Sequence, residues 1–192
     1  MKKIILASQS PRRIEMLRRY LKDLIIYTPD IKETVNNFDL PQTTVMKIAL
    51  KKALKINDSC EEKGIIIAAD TVVYMDKIMG KPKDYTEGFE MLKSLSGKLH
   101  KVYTGICIID NEENRKVVDY EETIVEFYDL SDSFIKKYLD TQEYKDKAGA
   151  YGIQGYGELL VKGINGCYNN VKGLPLTKLN NLLTKHFNHN LL

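Results

Sequence analysis

The feature that most constrains the fold is an apolar run from Ile65 to Met75, IIIAADTVVYM, which Asp70 and Thr71 interrupt in the middle. Small or apolar residues precede Asp70 and two valines follow Thr71, a pattern typical of a buried strand. A carboxylate inside such a strand is costly to bury unless it is paired or coordinates a cation. Two uses fit Asp70, a Mg²⁺ ligand or a general base acting on water. The alternative is a carboxylate at a strand end that accepts hydrogen bonds from backbone amides; β-propensity on both sides argues against a loop.

The remaining pattern predicts strands that alternate with helices in the first half of the chain and form hairpins in the second. Strands are predicted at Ile4–Ala7 and Leu24–Thr28, and hairpins at Leu99–Ile109 with Lys116–Tyr128 and around Asn165-Gly166, the last because Asn-Gly suits a type I′ turn. Helices are predicted from Ser10-Pro11 to about Leu21, from Thr43 or Thr44 to about Asp58, from the Asp84–Glu87 capping box to about Leu95, from Ser131 to about Leu139, and from Pro175 to His186. This order predicts an α/β protein with a mixed sheet. Since no linker or repeat is found, we expect one domain over residues 1–192, with two lobes around a cleft.

Composition excludes several classes of protein. Residues of the hydrophobic types make up 43% of the 192 and the net charge is only +3, so we expect a globular core and no concentrated basic face for duplex nucleic acid. No apolar stretch approaches the ~20 residues that span a bilayer, and the run Ile4–Ala7 is too short for a signal peptide. Cys60, Cys107 and Cys167 are widely spaced and indicate reduced thiols. We therefore expect a cytoplasmic protein with no membrane association.

The segment from Ser8 to Arg13, SQSPRR, lies between the first predicted strand and the first helix. A strand–loop–helix junction directs backbone N–H groups and the positive end of the helix dipole at one point. Two hydroxyls and two guanidinium groups at that point would form a phosphate-binding cradle, because arginine presents forked donors to phosphate oxygens. The alternative is a capped helix with solvated arginines.

Four charged residues elsewhere would complete a site for a polyphosphate. Glu33 lies in a polar stretch, and Lys52 shares a predicted helix with an apolar face. Lys81 stands in the sequence Gly80-Lys81-Pro82, and Lys147 precedes the glycine-rich segment. Each alone is compatible with a solvated side chain. Together with Asp70 they supply carboxylates for a metal ion and cations for the phosphates.

A glycine-rich segment at residues 148–157, AGAYGIQGYG, matches neither the GxxxxGK[ST] phosphate-binding loop nor GxGxxG. Glycine lets a backbone adopt positive φ and approach a ligand closely. The Gln154 amide both donates and accepts hydrogen bonds, so it could contact the edge of a base. The alternative is a flexible turn.

These segments together closely resemble the Maf family of nucleotide pyrophosphatases, once named for septum formation. The matching pieces stand in family order and cover nearly the whole chain: LASQSPRR at 6–13, PDIKE at 29–33, ALKKA at 49–53, AADTVV at 68–73, GKP at 80–82, LSG at 95–97, DKAGAYGIQG at 146–155 and NVKGLP at 170–175. The resemblance implies an elongated α/β fold related to the inosine triphosphate pyrophosphatases, with the site between two lobes. It also implies dependence on Mg²⁺ or Mn²⁺, a nucleoside triphosphate substrate and a homodimer.

The resemblance also implies roles for individual residues. Asp70 corresponds to the family's proposed catalytic base, and Glu33 to an acidic residue implicated in metal binding or catalysis. The residues that match the phosphate site are Ser8, Arg13, Lys52 and Lys81. Subfamilies differ at Arg12, Thr71 and Gln154, and this combination resembles the branch that acts on dTTP and UTP; a branch acting on 7-methyl-GTP has Trp, Gln and Glu instead.

The sequence therefore predicts hydrolysis of dTTP and UTP to the nucleoside monophosphate and pyrophosphate. Two alternatives stay open. One is an inosine or xanthosine triphosphate pyrophosphatase with the same chemistry. The other is a regulator of cell division that binds a nucleotide without turnover.

Overall fold

The computed structural model describes residues 2–32 and 39–192 of the chain. The strands of this part are β1 Ile4–Ala7, β2 Ile25–Tyr27, β3 Ile65–Met75, β4 Lys77–Met79, β5 Leu99–Asp110, β6 Arg115–Phe127 and β7 Val161–Asn165. The helices are α1 Pro11–Arg18, α2 Pro41–Ser59, α3 Tyr85–Leu95, α4 Asp132–Asp140, α5 Tyr168–Lys172 and α6 Leu176–Phe187, with short 3₁₀ segments at Ala148–Ala150 and Gly155–Leu160.

Over the described residues the strands form one sheet in the order β2-β1-β3-β5-β6-β7, with β4 paired to β3. β1 is parallel to both β2 and β3, whereas β4 is antiparallel to β3 and β7 is antiparallel to β6. The prediction of an α/β fold with a mixed sheet is therefore confirmed.

The chain divides into two compact units. Unit 1 comprises Met1–Asp70, Thr104–Glu121 and Gly173–Leu192, and unit 2 comprises Thr71–Tyr103 and Glu122–Lys172. Strands β3, β5 and β6 each contribute residues to both units. The assignment of residues 1–192 to one domain stays a prediction.

Unit 1 packs helices on both faces of its sheet, and the two faces follow the two-residue period of the strands. Side chains of one parity join α1 and α6 in a hydrophobic cluster that includes Ile4, Leu6, Ile65, Ile67 and Ala69 from the strands. Side chains of the other parity pack against α2 in a second cluster that includes Ile5, Ala7, Ile66 and Ala68. Such burial on both faces explains why these strands are apolar without alternation.

Unit 2 has one main hydrophobic cluster. It is built from β-strand residues, the helices α3 and α4, and the glycine-rich segment, and it includes Val73, Leu92, Phe127, Leu139 and Tyr151. The predicted start of α3 is confirmed, since Asp84 is the N-cap and its Oδ1 accepts a hydrogen bond from the N–H of Glu87 at 2.8 Å. Because Tyr151 belongs to the cluster, the glycine-rich segment is part of the packed core of unit 2.

Two predicted helix ends differ from the structure. α1 ends at Arg18, and the chain continues as a turn in which the N–H groups of Tyr20 and Leu21 donate to the carbonyl of Leu17. α2 begins at Pro41, which occupies the first turn as its fixed φ favours. Thr44, one of the predicted caps, instead donates its hydroxyl hydrogen bond to the carbonyl of Leu40 within that turn.

The predicted hairpin around Asn165-Gly166 is wrong. β7 pairs with β6, with Ile124 opposite Asn165, and the chain after Gly166 forms the helix α5 instead of a strand. The side chain of Thr123 donates to the carbonyl of Cys167 and accepts from its N–H, at 3.1 and 3.0 Å. These contacts with β6 fix the backbone where the expected second strand would begin.

None of the helices in the described part of the chain combines the length and the apolar character that a membrane crossing requires.

Candidate functional site

Asp70 lies inside β3, five residues before the strand's end, and only 7% of its surface is exposed. The alternative of a strand-end carboxylate is therefore wrong. Asp70 has the parity of Ile66 and Ala68, which face α2. The strand thus directs this carboxylate toward the helix.

Lys52 provides the partner for Asp70. The buried stripe of α2 runs through Val45, Ile48, Ala49, Lys52, Ala53 and Ile56, so a lysine occupies a position where the helical period calls for an apolar residue. Its Nζ lies 2.7 Å from Asp70 Oδ1, and each side chain is 9% exposed. Lys52 therefore lies within the buried face of α2 and is not a solvated side chain.

A buried ion pair of this kind does not by itself stabilise a fold. Removing two charges from water costs about as much as their attraction returns, and apolar replacements are often neutral or stabilising. The pair of Lys52 and Asp70 therefore indicates a place where the fold holds charge for chemistry.

Ser8 and Arg13 lie at the carboxyl end of β1, beside this pair in the sheet. Because Ala7 is opposite Ala68 in the parallel register, the chain leaves β1 at Ser8 alongside the part of β3 that leads to Asp70. Ser8 is 4% exposed, and its Oγ accepts a hydrogen bond from the N–H of Ser10 at 3.1 Å. Ser10 is the N-cap of α1 but makes no side-chain capping bond.

The two arginines of the junction are both half-buried. Arg13 Nε donates to the carbonyl of Gly173 at 2.7 Å, which ties α1 to the segment that leads into α6. Arg12 stands one residue earlier on α1. Arg13 is therefore not simply solvated, and the junction offers a helix N-terminus together with guanidinium groups, a combination suited to phosphate.

Thr71, Lys81 and Gln154 belong to unit 2. Thr71 follows Asp70 in β3 and is half-buried, as is Gln154, whereas Lys81 is exposed. The carbonyl of Gly80 accepts a hydrogen bond from the N–H of Gly149 at 3.0 Å. This bond joins the segment of Lys81 to the glycine-rich segment that carries Gln154.

The glycine-rich segment is closely packed. Gly149 has φ +66°, and a Cβ there would come within 2.8 Å of Val73 Cγ2. A Cβ at Gly157 would come within 1.9 Å of the carbonyl oxygen of Gly152. These glycines are required by close approach, which favours a shaped segment over the alternative of a flexible turn.

The structure thus brings Lys52 and Asp70 into contact, with Ser8 at the neighbouring strand end. Glu33 lies outside the described residues. Within residues 2–32 and 39–192, no group of three His, Cys, Asp or Glu side chains has an arrangement that could hold a metal ion.

Sequence reasoning missed two features. Lys172 is a buried cation, 5% exposed, and it precedes Gly173, whose carbonyl accepts the hydrogen bond from Arg13. The segment NVKGLP, which matches the family, contains Lys172 and could have pointed to it. His100 is 2% exposed and contacts Tyr151 in the glycine-rich segment. No spacing pattern marks His100.

The chain resembles known proteins over nearly its full length. A family model described as Maf-like protein matches residues 3–186. A protein of Caldanaerobacter subterraneus named dTTP/UTP pyrophosphatase is 50% identical over 186 residues, covering 96% of this chain and 89% of that protein. A protein of Alkaliphilus oremlandii with the same name is 45% identical over 192 residues, covering all of both chains. Among solved structures, the Staphylococcus aureus Ham1 protein matches with a TM-score of 0.48 and 16% identity, over 81% of this chain and 78% of that one.

Proposed function

The chain belongs to the Maf family, and from this premise we propose that it hydrolyses dTTP and UTP to the nucleoside monophosphate and pyrophosphate. The observation that carries the proposal is the buried pair of Lys52 and Asp70 beside the phosphate-binding type of junction that begins at Ser8. The full-length similarity to proteins named dTTP/UTP pyrophosphatase supports the choice of substrate.

The reaction is an in-line attack of water on the α-phosphorus. The N-terminus of α1 and the guanidinium of Arg13 bind phosphate oxygens, and Lys52 and Lys81 neutralise charge that develops on the leaving pyrophosphate. Asp70 has two compatible roles, accepting the proton of the attacking water or holding a divalent cation. Lys52, at 2.7 Å, fixes the Asp70 carboxylate in place for either role.

A divalent cation, Mg²⁺ or Mn²⁺, fits the residues present. Mg²⁺ is usually bound by one or two carboxylates together with substrate phosphates, so the single buried carboxylate of Asp70 is a suitable protein ligand, with Glu33 as the second by family resemblance. When bound, the cation supplies neutralisation of the phosphate charge. Full turnover in excess chelator would rule this requirement out.

Selection of the base is assigned to Arg12, Thr71 and Gln154. Arginine donates hydrogen bonds, while glutamine and threonine can donate and accept, which suits the carbonyls and N3–H of a pyrimidine. A buried donor left unpaired by the wrong base costs about 1–3 kcal/mol. We therefore expect kcat/KM for dTTP and UTP to exceed that for ATP and GTP by at least about tenfold.

The test is a panel of single nucleotides, including ITP and XTP, with Mg²⁺ and separate detection of pyrophosphate and inorganic phosphate. Monophosphate and pyrophosphate are the expected products, and dTTP and UTP the preferred substrates. Diphosphate with inorganic phosphate would contradict the site of cleavage. Preference for ITP would favour the purine alternative, and tight binding without product would favour the non-catalytic regulator.

Gln154→Glu tests the base assignment alone. The variant should lose the preference for dTTP and UTP while keeping turnover of the other nucleotides, because the phosphate-binding residues are unchanged. Equal slowing of every nucleotide would contradict the role of Gln154.

A homodimer and a cytoplasmic location are further parts of the proposal. Sedimentation of the purified protein tests whether it is a dimer.

A further inference from the structure

A buried hydrogen bond between two neutral rings lies in unit 2, and neither ring belongs to the candidate site. His100 is the second residue of β5, and its Nε2 lies 2.7 Å from the hydroxyl of Tyr151. The two side chains are 2% and 5% exposed. Both rings meet Phe127 edge-on, with centroid distances of 4.8 Å from His100 and 4.7 Å from Tyr151.

Neither ring carries charge at neutral pH. Burial lowers the pKa of His100 to about 4, and burial also raises the pKa of Tyr151 above its ordinary value. What the geometry gives this pair is a directed hydrogen bond between two packed rings.

Tyr151 stands three residues before Gln154, and the chain between and after them is confined. The carbonyl oxygen of Gly152 lies so close to Gly157 that no Cβ fits there. On the other side of Gln154, a Cβ at Gly155 would come within 2.4 Å of Glu143 Oε1. Glu143 Oε1 is the end of a flexible side chain, but Gly155 also has φ +65°, so the backbone after Gln154 follows a left-handed turn that favours glycine. Tyr151, which is 5% exposed, anchors the segment on the upstream side of Gln154.

We propose that His100 and Tyr151 are positioning residues for base selection, because their hydrogen bond sets the path of the segment that presents Gln154. The inference rests on the proposed function, specifically on Gln154 as a contact for the pyrimidine. Edge-on packing orients the planes of the rings, and the O–H···N bond adds the position of the Tyr151 hydroxyl, so that the pair specifies where the Tyr151 side chain ends.

The experiment compares Tyr151→Phe with the wild type and with Gln154→Glu, using kcat and KM for dTTP, UTP, ATP and GTP. Tyr151→Phe keeps the ring and removes only the hydroxyl. A net hydrogen bond corresponds to roughly a two- to tenfold change, so we expect kcat/KM for dTTP and UTP to fall by about that factor, mainly through KM. Values for ATP and GTP should stay within about twofold.

Tyr85→Phe is the matched control, since the Tyr85 hydroxyl is in unit 2 and its contacts among residues 2–32 and 39–192 are long, 3.4 Å to Asp140 and 3.5 Å to the Lys136 carbonyl. It should leave all four nucleotides unchanged. The double variant His100→Phe/Tyr151→Phe addresses folding, because replacing both partners with apolar rings leaves no unpaired polar group. We expect it to recover thermal stability without recovering the base preference.

The outcomes separate the two proposals. If Gln154→Glu loses the preference while Tyr151→Phe and the double variant keep the wild-type preference, the positioning role is overturned and the proposed function stands. If all four nucleotides lose activity equally in Tyr151→Phe, the pair is structural only and the inference is again overturned. If the wild type shows no base preference, both the selectivity of the proposed function and this inference fail.

Discussion

The two units bury different kinds of polar contact. In unit 1, opposite charges meet at buried carboxylates: the buried Lys52 contacts Asp70, and the partly exposed Lys2 contacts Asp110, which is 1% exposed. In unit 2, buried hydrogen bonds of the described residues join neutral groups, as between His100 and Tyr151, although Lys172 is a buried cation of the same unit.

The pair of Lys2 and Asp110 has a structural explanation that the pair of Lys52 and Asp70 lacks. Burial raises the pKa of Asp110, but hydrogen bonds from Lys2 and from the N–H groups of Glu112 and Glu113 together lower it by more, so the net shift is downward. Asp110 thus anchors a turn between β5 and β6. The contrast teaches that the proposals divide in the same way: the charged pair at Asp70 is proposed for chemistry, and the neutral contact of His100 and Tyr151 is proposed to shape the segment around Gln154 in unit 2.

The largest effect is expected for Asp70→Asn. The variant keeps the side-chain shape but removes the charge that acts as base or metal ligand, so kcat should fall by about 10²–10⁴, which is roughly 3–5 kcal/mol of barrier. Steady-state kinetics on dTTP measure this, with circular dichroism to establish folding. Unchanged kcat in a folded variant would make the Lys52–Asp70 pair purely structural, and recovery with added metal would favour the ligand role.

The next effect is on the free energy of unfolding of the protein when the Lys52–Asp70 pair is broken. Lys52→Met leaves the Asp70 carboxylate buried without its cation, so the free energy of unfolding should fall by about 3–5 kcal/mol. The double variant Lys52→Met/Asp70→Asn should recover most of that loss. Denaturant unfolding measures both.

Lys93→Met is the control for this prediction. Lys93 pairs with Asp132, and both side chains are at least half exposed, at 50% and 57%. An exposed pair contributes about 0–1 kcal/mol, so the control should change little. Equal losses in Lys52→Met and Lys93→Met would show that burial of the charges has no special consequence in unit 1.

Sequence reasoning succeeded where the signal is local. Apolar residues on both sides of Asp70 placed it inside a strand, and Asp84 with Glu87 marked the start of α3. The burial of Lys52 was not predicted, although its position belongs to the series of α2 residues that faces the sheet.

Sequence reasoning failed where the contacting residue is distant in the chain. Asn165-Gly166 is a good local turn signal, but β7 pairs with β6 about forty residues upstream, and Thr123 on β6 holds the backbone of Cys167 just after the turn. His100 and Tyr151 are likewise 51 residues apart, and neither belongs to a pattern that could indicate the contact. The role of Glu33 stays a prediction.

A smaller effect is expected from pH in unit 2. The pKa of His100 is lowered in the folded protein to about 4, below its ordinary 6.5. Above pH 6.5 the ring is neutral in both states; as pH falls from 6.5 toward 4, the unfolded chain gains a proton that the folded protein does not. The free energy of unfolding should therefore drop by up to about 3 kcal/mol across this window. His100→Gln should remove this part of the slope in urea unfolding, and an unchanged slope would contradict it.

The smallest effect tests how closely α2 is held in unit 1. A Cβ at Gly105 would come within 2.4 Å of the carbonyl carbon and oxygen of Val45 and 2.7 Å from Met46 N, all of them backbone atoms of α2. Gly105→Ala must displace that helix, which carries Lys52 two turns further on. Overpacking of this kind costs about 1–3 kcal/mol, and kcat should fall because the Lys52–Asp70 geometry moves with the helix.

Gly163→Ala provides the counterpart in unit 2, since a Cβ at Gly163 in β7 meets nothing within 4 Å. It should change the free energy of unfolding by no more than about 0.5 kcal/mol and leave kcat unchanged. Thermal unfolding and kinetics on dTTP distinguish the two variants.

If Gly105→Ala lost stability while kcat stayed at the wild-type value, the position of α2 would not matter for the chemistry. The assignment of Lys52 to the polyphosphate would then lose its structural support. If Gly105→Ala lost both stability and kcat, the packing of α2 at Gly105 would be linked to the geometry of the site.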